Sequence, residues 1–341
     1  MTPVSKLARF GWFGRPRATR WFGLALAALL LALAGGSASP GTLADLSGRL
    51  QTMVTIFLGI FIEALPFLVA GVFASSLIAL FISADQVRRL SPRAPVPAAL
   101  AGALLGLAFP VCECGSVPTA RRLIAKGVPL PLGIAFVLAA PAVNPVVIAS
   151  TWVAFGGRPA IVVGRIILTI LIATMVALAL GIHPQPDSLL APIAESSDHN
   201  HTHAHAGQSR LRAVLEHAAE EFFEMGRYLV IGGLIAATLQ TFIPRTLLLS
   251  LGQGPVVSVI ALMALAVVLS ICSTVDAFVA LAFASSFLPG ALLAFLVFGP
   301  MVDIKSVLMF STTFRRRVVA LIVLLTFQIT LLVGVIINLY L

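Results

Sequence analysis

Hydrophobic residues fall in long blocks along the chain, separated by short polar or basic stretches. One apolar run covers Trp21 to Ala34, and a longer one covers Met53 to Ile82 with Glu63 and Pro66 inside it. Ala98 to Val111 is apolar and leads into a Cys-Glu-Cys stretch, then a short segment ending in Arg121, Arg122 and Lys126. Leu130 to Phe155 is apolar except for Pro141-Ala-Val-Asn-Pro145, and Ala160 to Ile182 reads as an uninterrupted span. The chain turns polar from His183 to about His217, and apolar blocks resume at Phe222–Ile243, Val256–Leu288, Leu292–Phe310 and Val318–Leu341. A bilayer crossing takes about 20 apolar residues. The pattern therefore predicts an all-α polytopic membrane protein.

The N-terminus has the layout of a signal peptide. Lys6, Arg9, Arg15, Arg17 and Arg20 precede the first apolar run, and small residues follow it at Gly35-Gly-Ser-Ala-Ser39. A short, uncleaved first span reads equally well, and both readings put Pro40 outside.

The second half repeats the first. Phe61-Ile-Glu-Ala-Leu-Pro-Phe-Leu-Val-Ala-Gly71 aligns with Phe222-Phe-Glu-Met-Gly-Arg-Tyr-Leu-Val-Ile-Gly232, matching Glu63 to Glu224 and Gly71 to Gly232. Pro141-Ala-Val-Asn144 aligns with Pro300-Met-Val-Asp303, and the Cys-Glu-Cys stretch falls against Ile271-Cys-Ser-Thr274. Shared polar and proline positions at a nearly constant offset are hard to obtain by chance.

Charge placement then sets the topology. A single crossing by Ala98–Lys126 would put Arg88, Arg89 and Arg93 on the opposite side from Arg121, Arg122 and Lys126, against the positive-inside bias. A segment that enters, turns at Cys-Glu-Cys-Gly and leaves on the same side keeps all six in the cytoplasm. Its outgoing limb, Thr119 to Lys126, is also too short to span. Each repeat then holds three crossings and one re-entrant helical hairpin, and the odd count inverts the second copy. The expected architecture is two inverted repeats after an N-terminal span or signal-like segment. Residues 1–51 form the N-terminal part, 52–182 the first repeat, 183–218 a cytoplasmic linker and 219–341 the second repeat. Only Arg158 and Arg245 remain on outside loops.

Composition agrees. Of 341 residues 59% are hydrophobic and only 10% charged, against about 25% charged in a soluble domain. The net charge of +9 comes from basic clusters between apolar blocks, without the aromatic–basic interleaving of nucleic-acid binders. Three cysteines at these spacings make no secreted disulfide framework.

Inverted repeats with interrupted helices at corresponding positions point to a site near the bilayer midplane. On that geometry the candidate substrate-binding residues are Cys112, Glu113 and Cys114 at one hairpin tip and Cys272 and Asp276, with Ser273 and Thr274, at the other. Asn144 and Asp303 join them after the matched prolines. Buried cysteine is often a small hydrophobe, and that suffices for Cys272 alone. Cys-x-Cys around a carboxylate is harder to explain so, since soft thiolates select Cu(I), Zn(II) or a thiophilic metalloid. A third thiol from Cys272 would complete a three-sulfur site. Glu63 has no charged neighbour and suits proton relay or cation coordination. Glu224 is its counterpart, but Arg227 three residues on offers it a structural ion pair. Asp303 and Lys305 could neutralise each other, although i,i+2 residues do not face one another on a regular helix. His199, His201, His203 and His205 alternate in the linker, either as a metal collector or as a solvated tract.

The run Pro110-Val-Cys-Glu-Cys-Gly-Ser-Val-Pro118, then Arg121-Arg122-Leu123, Lys126-Gly127 and Ala139-Ala-Pro-Ala-Val-Asn-Pro145, resembles the family of predicted bacterial permeases that includes the organoarsenical efflux permease ArsP. The resemblance covers most of residues 52–341. It implies a multi-pass permease of the bacterial inner membrane, an exporter, with cysteine-dependent handling of trivalent organoarsenicals mapping onto Cys112, Cys114 and Cys272.

The leading expectation is a secondary transporter for a thiophilic metal, metalloid or organic adduct, its partners being that substrate and the lipid bilayer. A homo-oligomer or an accessory protein is left open. No Gly-x-x-x-x-Gly-Lys-Ser/Thr motif is present, no cofactor is implied, and no catalytic residue stands out. A permease for an unrelated anion or metabolite with structural cysteines is the alternative. A membrane thiol-redox protein is less well supported, because Cys-x-Cys is not a redox spacing.

Overall fold

A computed structural model of the chain describes residues 42–81, 91–92, 94–109, 111–156, 158–181, 210–242 and 254–340. Contacts group the chain into residues 1–52 and 53–341, and every residue of the site discussed below belongs to the second unit. The N-terminal span or signal-like segment and the linker histidines His199, His201, His203 and His205 lie outside the described residues.

Twelve helices among the described residues fall into two sets with the same order. The first is α1 (Thr42–Phe81), α2 (Pro95–Ala108), α3 (Glu113–Ala125), α4 (Leu130–Val143), α5 (Pro145–Ala154) and α6 (Pro159–Gly181). The second is α7 (Arg210–Phe242), α8 (Val257–Leu269), α9 (Asp276–Phe283), α10 (Pro289–Met301), α11 (Ile304–Thr313) and α12 (Arg316–Tyr340). Each set has a long helix, two short helices around a non-helical tip, a helix interrupted once, and a final long helix. α7 begins at Arg210, inside the segment expected to be linker.

Five segments among the described residues are long and apolar enough to cross a bilayer: 48–77, 130–154, 159–181, 218–242 and 316–340. A sixth follows if α10 and α11, bent by 41° at their break, count as one span. α2, α3, α8 and α9 have 14, 13, 13 and 8 residues. At about 1.5 Å per residue none reaches across a hydrocarbon core of about 30 Å.

Proline marks many of the boundaries. Pro95, Pro145, Pro159 and Pro289 are the first residues of their helices, where a missing N–H costs nothing. Pro141 and Pro300 sit near the C-terminal ends of α4 and α10, just before the two breaks. The two prolines that flank the Cys-Glu-Cys stretch predict a break in any regular helix there, yet Pro118 lies within α3. Placed near the start of that helix, it forfeits only the bond its N–H would make to the Cys114 carbonyl.

α2 and α3 both pack along α4. Ala98 near the start of α2 and Leu123 near the end of α3 cluster with Val128 and Leu132 where α4 begins. Further along α4, Phe136 meets Phe109 edge-on at 6.1 Å between ring centroids. Glycine permits the approach: Gly102 lies on the Leu132 carbonyl and Gly106 on the backbone of Ala139 and Ala140.

The core is formed by α4 and α10, which pack against each other and against the flanking helices. Every residue of α4 is buried, in keeping with a helix that is apolar all round. The outer helices instead expose Ile62, Ile167, Phe223 and Leu332, apolar surface of the kind that faces lipid.

A Cβ at Gly106 would lie 2.7 Å from the Ala140 nitrogen, whereas one at Gly59 would meet nothing within 4 Å. Gly106→Ala should therefore cost about 1–3 kcal/mol by overpacking, seen as a lower Tm of the detergent-purified protein. Gly59→Ala should leave Tm unchanged or slightly raised.

Candidate functional site

At the first tip Phe109 and Cys112 are extended, the Val111 N–H donates to the Phe109 carbonyl at 2.8 Å, and the stretch is held in place from α4 and α5. Asn144, between those helices, caps α5 by accepting from the Val147 N–H at 2.9 Å. Its amide donates to the carbonyls of Val111 at 3.2 Å and Ala140 at 3.3 Å. One side chain therefore serves the break and the tip together. The Cys112 carbonyl accepts the N–H groups of Gly115 and Ser116 at 3.1 and 2.9 Å, starting α3. Gly115 then meets Gly71 of α1 backbone to backbone.

Asp303 occupies the corresponding break between α10 and α11. It forms a capping box with Ser306, accepting from the Ser306 N–H at 2.6 Å while its own N–H donates to Ser306 Oγ at 2.8 Å. Its backbone is extended, not helical, so its carboxylate can reach Lys305. Lys305 Nζ stands 3.5 Å from Asp303 Oδ2 and 3.3 Å from Glu113 Oε1. The Asp303–Lys305 neutralisation read from the sequence is thus present, with Glu113 as a third member. All three side chains are at most 5% exposed.

The second tip, residues 270–275, begins at Ser270 with φ of 42°, a left-handed conformation uncommon outside glycine. Ser270 Oγ donates to the Val267 carbonyl at 2.7 Å, and Gln240 of α7 donates to the Leu269 carbonyl at 2.7 Å. The Cys272 carbonyl accepts from Val275 and Asp276, as Cys112 does in the first tip. Thr274 donates to Glu63 of α1 at 3.2 Å. Asp276 is bound at both oxygens by Arg165 of α6, at 2.9 and 2.6 Å.

All three cysteines are free and buried. The Cys114 thiol interacts with that of Cys112 and with the charges of Glu113 and Lys305. Cys272 lies within electrostatic reach of Glu113, Cys112, Lys305 and Glu63. Glu113, Lys305, Asp303, Glu63 and the thiols are thus assembled from four separate stretches of chain. Among the described residues, however, no three His, Cys, Asp or Glu side chains are grouped to hold a metal ion.

Glu224 falls elsewhere. It pairs with Arg121 of α3 at 3.3 Å and, more loosely, with Arg227 at 3.9 Å. Beside it Glu221 takes Arg122 at 3.2 and 3.4 Å and the Ser75 hydroxyl at 3.1 Å. The C-terminal half of α3 is therefore joined to α7 by charge.

Two site residues were not singled out from the sequence. Arg165 sits in what reads as an uninterrupted apolar span, and a lone arginine there was signal enough. Lys305 was weighed only as a neutralising neighbour of Asp303.

A chain with five to six segments among the described residues long and apolar enough to cross a bilayer, and with buried charges at interrupted helices, is a multi-pass membrane protein. Comparison with known sequences gives the family. Residues 49–339 match a profile described as predicted permease, ArsP_1, and the chain belongs to that bacterial family. It is 44% identical over 269 residues to the Bacillus subtilis UPF0718 protein YcgR, covering 79% of this chain and 91% of that one. It is 35% identical over 264 residues to a Streptococcus mutans protein with the provisional name two-component membrane permease complex subunit, covering 77% and 87%. No solved structure matches the chain.

Asn144→Ala removes both the cap of α5 and the tie to the first tip. The cap alone is worth about 1 kcal/mol, and the buried Val111 carbonyl also loses a donor. A clear drop in Tm is expected, whereas Asn144→Asp, which keeps the cap, should lose less.

Proposed function

We propose that the protein is a permease that exports a thiophilic metal, metalloid or organoarsenical through a site between the two tips, with Cys112, Cys114 and Cys272 as its ligands. The observation that carries this is the position of the cysteines. The chain has three, and all three are buried at the two tips or within the first turn that follows, with Lys305 in electrostatic reach of Cys114 and Cys272. Packing alone gives no reason for cysteine to be confined there.

The reading takes the two helix sets as inverted repeats and α2–α3 and α8–α9 as re-entrant hairpins that meet near the midplane. Asn144 and Asp303 shape the site from the helix breaks, and Glu63, hydrogen-bonded to Thr274, serves as the proton-coupling carboxylate. Glu224, paired with Arg121, is better suited to holding the hairpin base. The name of the Streptococcus mutans relative supports an accessory subunit as partner.

Everted membrane vesicles containing the protein should accumulate at least one trivalent organoarsenical or thiophilic ion, measured by elemental analysis. Cys112→Ser with Cys114→Ser should reduce uptake to that of vesicles lacking the permease, with the protein still in the membrane. Full uptake by the double variant would assign the thiols to packing and favour the alternative, a permease for an anion or metabolite.

A further inference from the structure

The limb that follows each tip opens on a carboxylate: Glu113 is the first residue of α3 and Asp276 the first of α9. Both are buried, and each is met by a buried cation from the other helix set. Lys305, just past the α10–α11 break, takes Glu113. Arg165 takes Asp276, and it also donates to the Ala142 carbonyl at 2.9 Å and Thr151 Oγ1 at 3.0 Å on the two sides of the α4–α5 break. The pairing is therefore crossed, with the first tip fastened to the second break and the second tip to the first. Helix packing follows the same cross, α3 on α11 and α9 on α5.

We propose that Glu113–Lys305 and Asp276–Arg165 are equivalent clamps that hold the two cysteine-bearing tips against each other, which makes Glu113 and Asp276 positioning residues and not ligands. The proposal rests on the permease reading above and specifies how its site is held together. The Asp276 carboxylate has both oxygens on one guanidinium, which leaves it little capacity for a substrate. A guanidinium bound through three nitrogens fixes direction as well as charge, and lysine cannot reproduce that fork. Removing Arg165 leaves Asp276 without a countercharge, and removing Lys305 strips Glu113 and Asp303 together, in each case in apolar surroundings. The cation is therefore the member on which each clamp depends.

The test reads tip apposition without any metalloid, so it stands apart from the transport reading. In the full chain carrying Cys114→Ser, one thiol remains on each tip. Dibromobimane, which fluoresces on bridging two thiols, is applied to the purified protein in lipid nanodiscs. Bridging of Cys112 to Cys272 is expected in this parent, and a loss of most of the signal is expected in Lys305→Met and in Arg165→Lys. Single-thiol labelling after denaturation should be unchanged. Lys305→Arg, which keeps the cation for both carboxylates, should retain bridging, and Arg165→Lys carries the test if Lys305→Met does not fold. Absence of bridging in the parent, or parent-level bridging in folded Lys305→Met and Arg165→Lys, would each overturn the proposal. Bridging that survives as proposed in a protein that moves no thiophilic substrate would sink the transport reading alone.

Discussion

A charge placed deep in an apolar chain has to bring its partner with it. That constraint decides more of this structure than any propensity. The two most deeply buried cations among the described residues, Arg165 and Lys305, are each about 1% exposed, and both are satisfied by carboxylates that begin short helices. Such pairs add little net stability, because desolvation offsets their attraction. Their value is in specificity, since few other packings of these helices would leave every charge matched. The short helices around the tips are too brief to span the bilayer, and these pairs fix their ends while packing on α4 and α10 holds their length.

The interrupted helices serve the same end by another route. A helix that stops and restarts leaves carbonyls and N–H groups without intrahelical partners, which is tolerable at membrane depth only when protein encloses them. Asn144 and Asp303 close these breaks, and each has capacity left over: Asn144 for the first tip, Asp303 for Lys305. The same residues that repair the backbone therefore orient the neighbouring polar groups. The preceding prolines, Pro141 and Pro300, disfavour continuation of the helix.

Much of this was legible beforehand because the informative residues are rare. Against a hydrophobic background, Asn144, Asp303, Glu113 and the cysteines stand out individually, and the repeat tells which of them correspond. The interruptions at 144 and 303 and the short limbs at 95–125 followed from prolines and from the spacing of basic residues. Partner choice did not. Nothing in spacing pairs Arg165 with Asp276, 111 residues apart, or moves Glu224 from its neighbour Arg227 to Arg121. Such contacts depend on how whole helices pack, and a linear pattern has no access to that. Pro118 shows the opposite limit, since a local rule against helix gave way where only one hydrogen bond was at stake.

The meeting of Gly71 with Gly115 has a mechanical side. Gly71 of α1 and Gly115 of α3 approach backbone to backbone, so a methyl group added at either would have to push the two helices apart. α3 is tied at one end by Glu113 to Lys305 and at the other by Arg121 and Arg122 to α7. A wedge at the glycines would therefore load ion pairs that neither glycine touches.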